Sequence, residues 1–264
     1  MNDTDPFYIG WQAQAPRPLR ACLRGIVLIL LSVAALLGAG LSLAQRTIGV
    51  SVFDWGRVQS FSGILQAQPY PHLLVPRPGA ASGPEAFSRY YLVQTFKHGL
   101  DPAQVNRLAG RHVTLQGTLI YRDTQTMIEV VPGTLAAAEA NQAGSPETTG
   151  VMAPAPAVPL GRQTLVGEIV DSKCYLGVMN PGSRIPHRAC AIHCIRGGIP
   201  PVLLVRPPDG SSFCLLLVSA SGQPVNREVL DMVAEPVEIT GDVERQGTLL
   251  ILRADPANYR RLGR

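Results

Sequence analysis

The chain has 264 residues, 46% of them apolar, with 23 basic against 19 acidic side chains and a net charge of +4. The basic residues, nearly all arginine, are scattered among carboxylates rather than gathered in a run, so there is no electrostatic footprint for nucleic acid and none is expected as a partner. The 23 prolines and 26 glycines suit short strands joined by turns, and the length suits two modest domains behind an N-terminal segment.

Residues 1–22 read as a cytoplasmic tail and residues 23–44 as a transmembrane helix. Gly25 to Ala44 runs for twenty residues without a charge, enough to cross the hydrocarbon core of a bilayer. Arg17, Arg20 and Arg24 precede it, and Arg46 and Arg57 follow, a bias toward a cytoplasmic N-terminus with the bulk of the chain outside. A cleaved signal peptide ending at Ser42-Leu43-Ala44 is the competing reading. It exports the same residues, but the apolar run is longer than an ordinary signal core.

Two segments then repeat one pattern, over residues 47–134 and 163–262. In the first, VQSFSGILQ, HLLV and YYLVQ read as strands, DPAQVNRLAG as a short helix with Asp101 as N-cap and Pro102 in the first turn, and VTLQGTLIY with TMIEVV as a closing hairpin. In the second, TLVGEIVD, PVLLV and FCLLLV are the strands, NREVLDMVA is the helix with Asn226 as cap, and VEITGDVE with TLLILRA is the hairpin. Three strands, a capping helix and a hairpin is the element order of the OB-fold. The expected fold is therefore mainly β: a transmembrane helix followed by two tandem small OB-like barrels. Residues 135–162, rich in Ala, Pro, Gly and Thr, read as a linker.

The copies differ in one place. Gly63 to Leu73 is 10 positions but Gly167 to Leu203 is 36, so the second copy carries an insertion between its first two strands, over 171–201. It holds Cys174, His187, Cys190, His193 and Cys194. Pro186 to Arg196 reads as a helix ended by Gly197-Gly198, which puts His187, Cys190 and Cys194 on one stripe. Cys214, on the third strand of the same copy, completes the exported cysteines. Asp171 and Lys173 lie just before Cys174 and read as a solvated pair; His72, His98 and His112 read as surface residues.

Two readings of the cluster stand side by side. Thiolate and imidazole are ligands that zinc and copper prefer, so Cys174, His187, Cys190, His193 and Cys194 are candidate metal ligands. Outside the cytoplasm disulfides among Cys174, Cys190, Cys194 and Cys214 are equally natural, although Cys190 and Cys194, one helical turn apart, pair poorly. A thiol-disulfide exchange role for Cys190 and Cys194 has the wrong spacing, CxxxC rather than CxxC. No GxSxG, HExxH, P-loop or dinucleotide fingerprint occurs.

The segments KCYLGVMNPG and HRACAIHCIRGGIPP, with VTLQGTLIYRDTQTMIEV, resemble those of bacterial membrane-anchored proteins in which an OB-like domain follows an N-terminal helix. The resemblance implies a Gram-negative inner-membrane protein facing the periplasm, and no reaction. The expected function is an accessory protein with a copper or zinc site, supporting a respiratory or redox complex through a protein partner. The alternative is a non-catalytic interaction module stapled by disulfides.

Overall fold

The computed structural model describes residues 16–45, 51–77, 86–138 and 157–263. They fall into two units, the N-terminal segment and everything from residue 50 onward. The first unit is helix α1 (Arg17–Gln45), in which Leu19–Ala44 has a mean hydropathy of 2.6 and is not buried by protein. By length and composition it can cross a membrane or serve as a signal sequence. Residues 1–15 of the expected tail lie outside the described residues, and Arg17–Cys22 belong to the helix.

The second unit is mainly β. Its first half comprises β1 (Ser51–Phe53), β2 (Gln59–Gln66), β3 (His72–Pro76), β4 (Phe87–Gln94), α2 (Pro102–Leu108), β5 (His112–Arg122), β6 (Gln125–Val130) and β7 (Ala136–Ala137). Strands β2, β3 and β4 pair antiparallel in succession, β4 runs parallel to β6, β6 pairs with β5, and β5 returns to β2. That ring is a closed five-stranded barrel in OB order, with α2 between its third and fourth strands. The second half repeats the circuit with β8 (Val158–Asp171), α3 (Arg188–Arg196), β9 (Pro201–Val205), β10 (Phe213–Val218), β11 (Pro236–Gln246) and β12 (Leu249–Arg253), while β13 (Arg260–Arg261) adds to β11. The inserted residues and α3 lie between β8 and β9, as expected.

Matched glycines permit closure in both copies. A Cβ on Gly63 would collide with the carbonyl of Leu74, and one on Gly167 would lie 2.6 Å from the carbonyl oxygen of Leu204, so the first strand of each barrel crosses the second where no side chain fits. Asp101 caps α2 as its position suggests, accepting the amides of Ala103 and Gln104 at 3.1 and 3.3 Å.

The helix expected over NREVLDMVA is a correction: only a single 3-10 turn, Leu230–Met232, forms. Val229 and Val233 are fully buried, and the amide of Ala234 bonds to the carbonyl of Ile169 at 3.0 Å, which pulls the chain onto β8. Asn226 does not cap; its amide donates to the carbonyls of Ile195 and Ile199 at 2.8 and 2.9 Å, tying the end of α3 to this loop. Within the stretch read as a linker, Ala136–Ala137 pairs with β5 and Val158 already begins β8, while residues 139–156 lie outside the described residues.

Each barrel has its own apolar interior, built around Leu65, Leu92 and Ile128 in the first and Ile169, Leu215 and Leu252 in the second. A third cluster draws on both, joining Tyr70, Tyr91, Val93 and Met127 to Val170, Leu176, Val202 and Leu216. The barrels therefore share a core. Tyr70 crosses the seam, its hydroxyl donating to the carbonyl of Leu217 and accepting from the amide of Val225, both at 3.2 Å.

His72 is not on the surface. It is 2% exposed, with Nδ1 2.9 Å from the carbonyl of Tyr70 and Nε2 3.1 Å from an Arg89 nitrogen. Burial, with the Arg89 charge, lowers its pKa to about 4. A histidine lowered on folding stabilises the native state above its ordinary pKa and loses that contribution as pH falls from about 6.5 toward 4. The full contribution is about 3 kcal/mol. Urea unfolding between pH 7.5 and 4 should show this loss in the natural chain and a flatter profile in His72→Gln; parallel profiles would remove His72 as the cause.

A candidate metal centre in the seam between the barrels

Strand β8 ends at Asp171, whose carboxylate is fully buried. One oxygen accepts the amide of Cys174 at 2.8 Å and the other meets His187 Nε2 at 2.9 Å. These two bonds offset the cost of burying a carboxylate and fix two candidate ligands about one pivot. Cys174 opens a wide turn, Cys174–Val178. A 3-10 turn, Ile185–His187, then leads into α3, which carries Cys190 half-buried and Cys194 buried.

The Cys174 and Cys194 sulfurs are 4.0 Å apart. One nitrogen of His187 and the sulfurs of Cys174 and Cys190 lie within 4.8 Å of one another, as do Cys174, Cys194 and an oxygen of Asp171. A tetrahedral zinc with Zn–S of about 2.3 Å holds two sulfurs about 3.8 Å apart, whereas a disulfide needs about 2.05 Å. The 4.0 Å separation matches a coordination edge, and all five cysteines are free. The cluster is close enough to hold a metal ion. Asp171 holds Nε2 of His187, so ligation by this imidazole would fall to Nδ1.

The first barrel contributes a cation. Lys97, in the loop after β4, places Nζ 2.7 Å from the Cys190 sulfur and 3.9 Å from that of Cys194. Its hydrogen bond to Cys190 raises the ammonium pKa. Cys194 is held below the ordinary thiol range, chiefly by the hydrogen bond from the Cys174 thiol and also by Lys97, against the opposing effect of burial. Cys174 is pushed far up by that same shared proton, by burial and by the Asp171 carboxylate.

The loop carrying Lys97 is itself held from the second barrel. Lys173, 2% exposed, pairs with Glu129 on β6 and donates to the carbonyls of Gln94 and Phe96 at 2.9 and 2.7 Å. Neither Asp171 nor Lys173 is solvated, contrary to the expectation from alternation along a strand. The wide turn after β8 redirects Lys173 across the seam, where it meets a carboxylate and two carbonyls. The backbones also touch, since Gly99 donates to the carbonyl of Gly197 at 2.8 Å and a Cβ on Gly197 would overlap the carbonyl oxygen of Lys97. Gly197→Ala should therefore cost about 1–3 kcal/mol by overpacking the seam, read as a lowered unfolding midpoint. An unchanged midpoint would mean that the two loops yield freely.

Of the expected ligands, the structure brings together Cys174, His187, Cys190 and Cys194. His193 is exposed on α3, and Cys214 is buried on β10; both lie outside the two convergent groups. Burial pushes the Cys214 thiol up to about 12. Sequence reasoning missed Lys97 and the orienting role of Asp171. One signal was available: the chain has only two lysines among its 23 basic residues, Lys97 and Lys173, and both reach this junction.

Fold and site together define a double OB-type barrel, preceded by an apolar helix, with a buried thiol and imidazole cluster where the barrels meet. No family profile matches the chain, and no curated protein matches it. A solved structure, the wild-type single-stranded DNA binding protein from Thermus aquaticus, aligns over 82% of this chain and 88% of its own at 12% identity and a TM-score of 0.24. A likeness so slight carries no argument; the barrel order rests on the strand register.

Proposed function

We propose that this chain is a membrane-anchored, periplasm-facing accessory protein whose second barrel holds a zinc or copper ion through Cys174, Cys190, Cys194 and His187. The observation that carries the reading is a pair of overlapping groups that share Cys174, one with His187 and Cys190 and one with Cys194 and Asp171, the atoms of each within 4.8 Å of one another, with Asp171 bonded to the imidazole. Three sulfurs and one nitrogen suit tetrahedral zinc, and two or three thiolates suit Cu(I). The nearby Lys97 ammonium offsets part of the negative charge that three thiolates bring into a buried site. Arg17, Arg20 and Arg24, in the first turns of α1, support a cytoplasmic N-terminus.

The test is elemental analysis of the full chain, purified in detergent without reductant, alongside thiol titration. About one equivalent of metal per chain supports the reading. Substoichiometric metal after supplementation, with no titratable thiols, overturns it in favour of the structural alternative, in which the insertion is stapled by disulfides. The specific observation behind that alternative is the Cys174 to Cys194 approach, from which a side-chain rotation could form a bond in an oxidising compartment.

A further inference from the structure

A second cavity lies in the same seam. The tight hairpin between β5 and β6 carries Arg122 into a cavity of about 110 Å³ whose other wall, from the second barrel, includes Tyr175, Ser212, Cys214 and Thr248. Arg122 is 9% exposed. Among the described residues it has no carboxylate partner and no hydrogen bond: its Nε is sealed from solvent without an acceptor, and its one polar contact is the face of the Tyr175 ring, 4.1 Å from the guanidinium carbon.

A guanidinium stays charged at any physiological pH, so burial cannot be relieved by losing the proton. A stack on tyrosine returns only part of the lost hydration, and a charge taken out of water without an anion is the costly case. The neighbouring thiol does not supply the anion, because the buried Cys214 stays protonated. Asp123, exposed at the tip of the hairpin, also lines the cavity but makes no ion pair with Arg122; the remaining lining side chains are hydroxyls, an amide and apolar groups. The Tyr175 and Ser212 hydroxyls stand 3.4 Å apart, and Gln125 bridges the seam by donating to the carbonyl of Cys214 at 3.2 Å. The volume suits a few waters or one small oxyanion.

We infer that this cavity is a binding site for a small oxyanion, a carboxylate or a phosphate, held by the Arg122 guanidinium with the Tyr175 and Ser212 hydroxyls. Since Arg122 comes from one barrel and both hydroxyls from the other, the bound anion ties the barrels together. The inference does not depend on the metal reading, because none of its residues belongs to the thiol cluster.

The full chain in detergent is titrated with sodium acetate or inorganic phosphate at constant ionic strength set with sodium chloride, followed by calorimetry and thermal unfolding. Saturable binding of one or both, with a raised unfolding temperature, is expected, and comparing the two identifies the preferred chemistry. Arg122→Met should weaken binding at least tenfold while leaving the anion-free protein as stable as before or more so, and Arg260→Gln, at an exposed surface pair, should bind as the natural chain does. If Arg122→Met fails to fold, Ser212→Ala should lower the affinity severalfold. No saturable binding of either anion to the natural chain, or binding undiminished in both the Arg122 and Ser212 variants, overturns the inference.

Discussion

Lys173→Met is expected to destabilise the folded chain by about 3–5 kcal/mol, the usual cost of removing one partner of a buried ion pair. The substitution keeps most of the apolar stem and removes three donors. The Glu129 carboxylate, 11% exposed, would be left unpaired in the seam, and the carbonyls of Gln94 and Phe96 would lose their donor. Phe96 adopts a left-handed backbone, φ 59°, and is 84% exposed, so its own side chain adds little to hold that turn. The same turn carries Lys97, so the variant should also lose the ammonium over Cys190 and Cys194. The double variant Lys173→Met/Glu129→Gln should recover most of the stability, because a buried charge is then no longer stranded. Urea unfolding of the four proteins closes the cycle. Additivity of the two single changes within about 0.5 kcal/mol would show that the pair is not coupled.

Cys194→Ser should abolish stoichiometric metal. Removing the carboxylate that merely orients a ligand typically costs 10–100-fold in affinity, and loss of a thiolate ligand should cost at least about a hundredfold. Stability is linked to the same event: a metal present at about 100 times its dissociation constant adds about 2.7 kcal/mol to the folded state. The natural chain should therefore lose unfolding temperature when a chelator is added, and Cys194→Ser should start near the chelated value and respond little. Asp171→Asn, which keeps the shape of the pivot while weakening its hold on His187, should fall between them. A chelator-insensitive natural chain with metal-free, titratable thiols would reject metal binding as the role of this cluster.

Much of this fold was legible in the sequence because each barrel announces itself locally. Strand runs of alternating or continuous apolar residues, Asp101-Pro102 at the start of α2 and the Pro/Gly punctuation around α3 are short-range signals, and the structure follows them. The segment after Asn226 misled for a physical reason. Its apolar spacing fits a helix, but Val229 and Val233 are taken up by the second barrel's core and Asn226 is drawn to the end of α3, both contacts between residues far apart in sequence. His72 misled similarly, since nothing near it in sequence says that Arg89 and Tyr91 will cover it.

The candidate site divides along the same line. Cys174, His187, Cys190 and Cys194 stand out as an insertion present in one copy of a repeat and absent from the other, and helical spacing already aligned three of them. Comparing two halves of one chain was enough to find them. Asp171 as their pivot, Lys97 above them and Lys173 behind that loop belong to contacts that span between 16 and 97 positions of sequence. The two lysine contacts exist only once the barrels share a core, whereas Asp171 meets His187 within the folded insertion. Periodicity and composition report which face of an element is apolar, so the sequence by itself determined the apolar helix, the double barrel and the identity of the thiol and imidazole groups. Which charges those groups meet is set by how one barrel's loops lie on the other's, and that packing, decided by shape and burial in three dimensions, only the tertiary structure supplied.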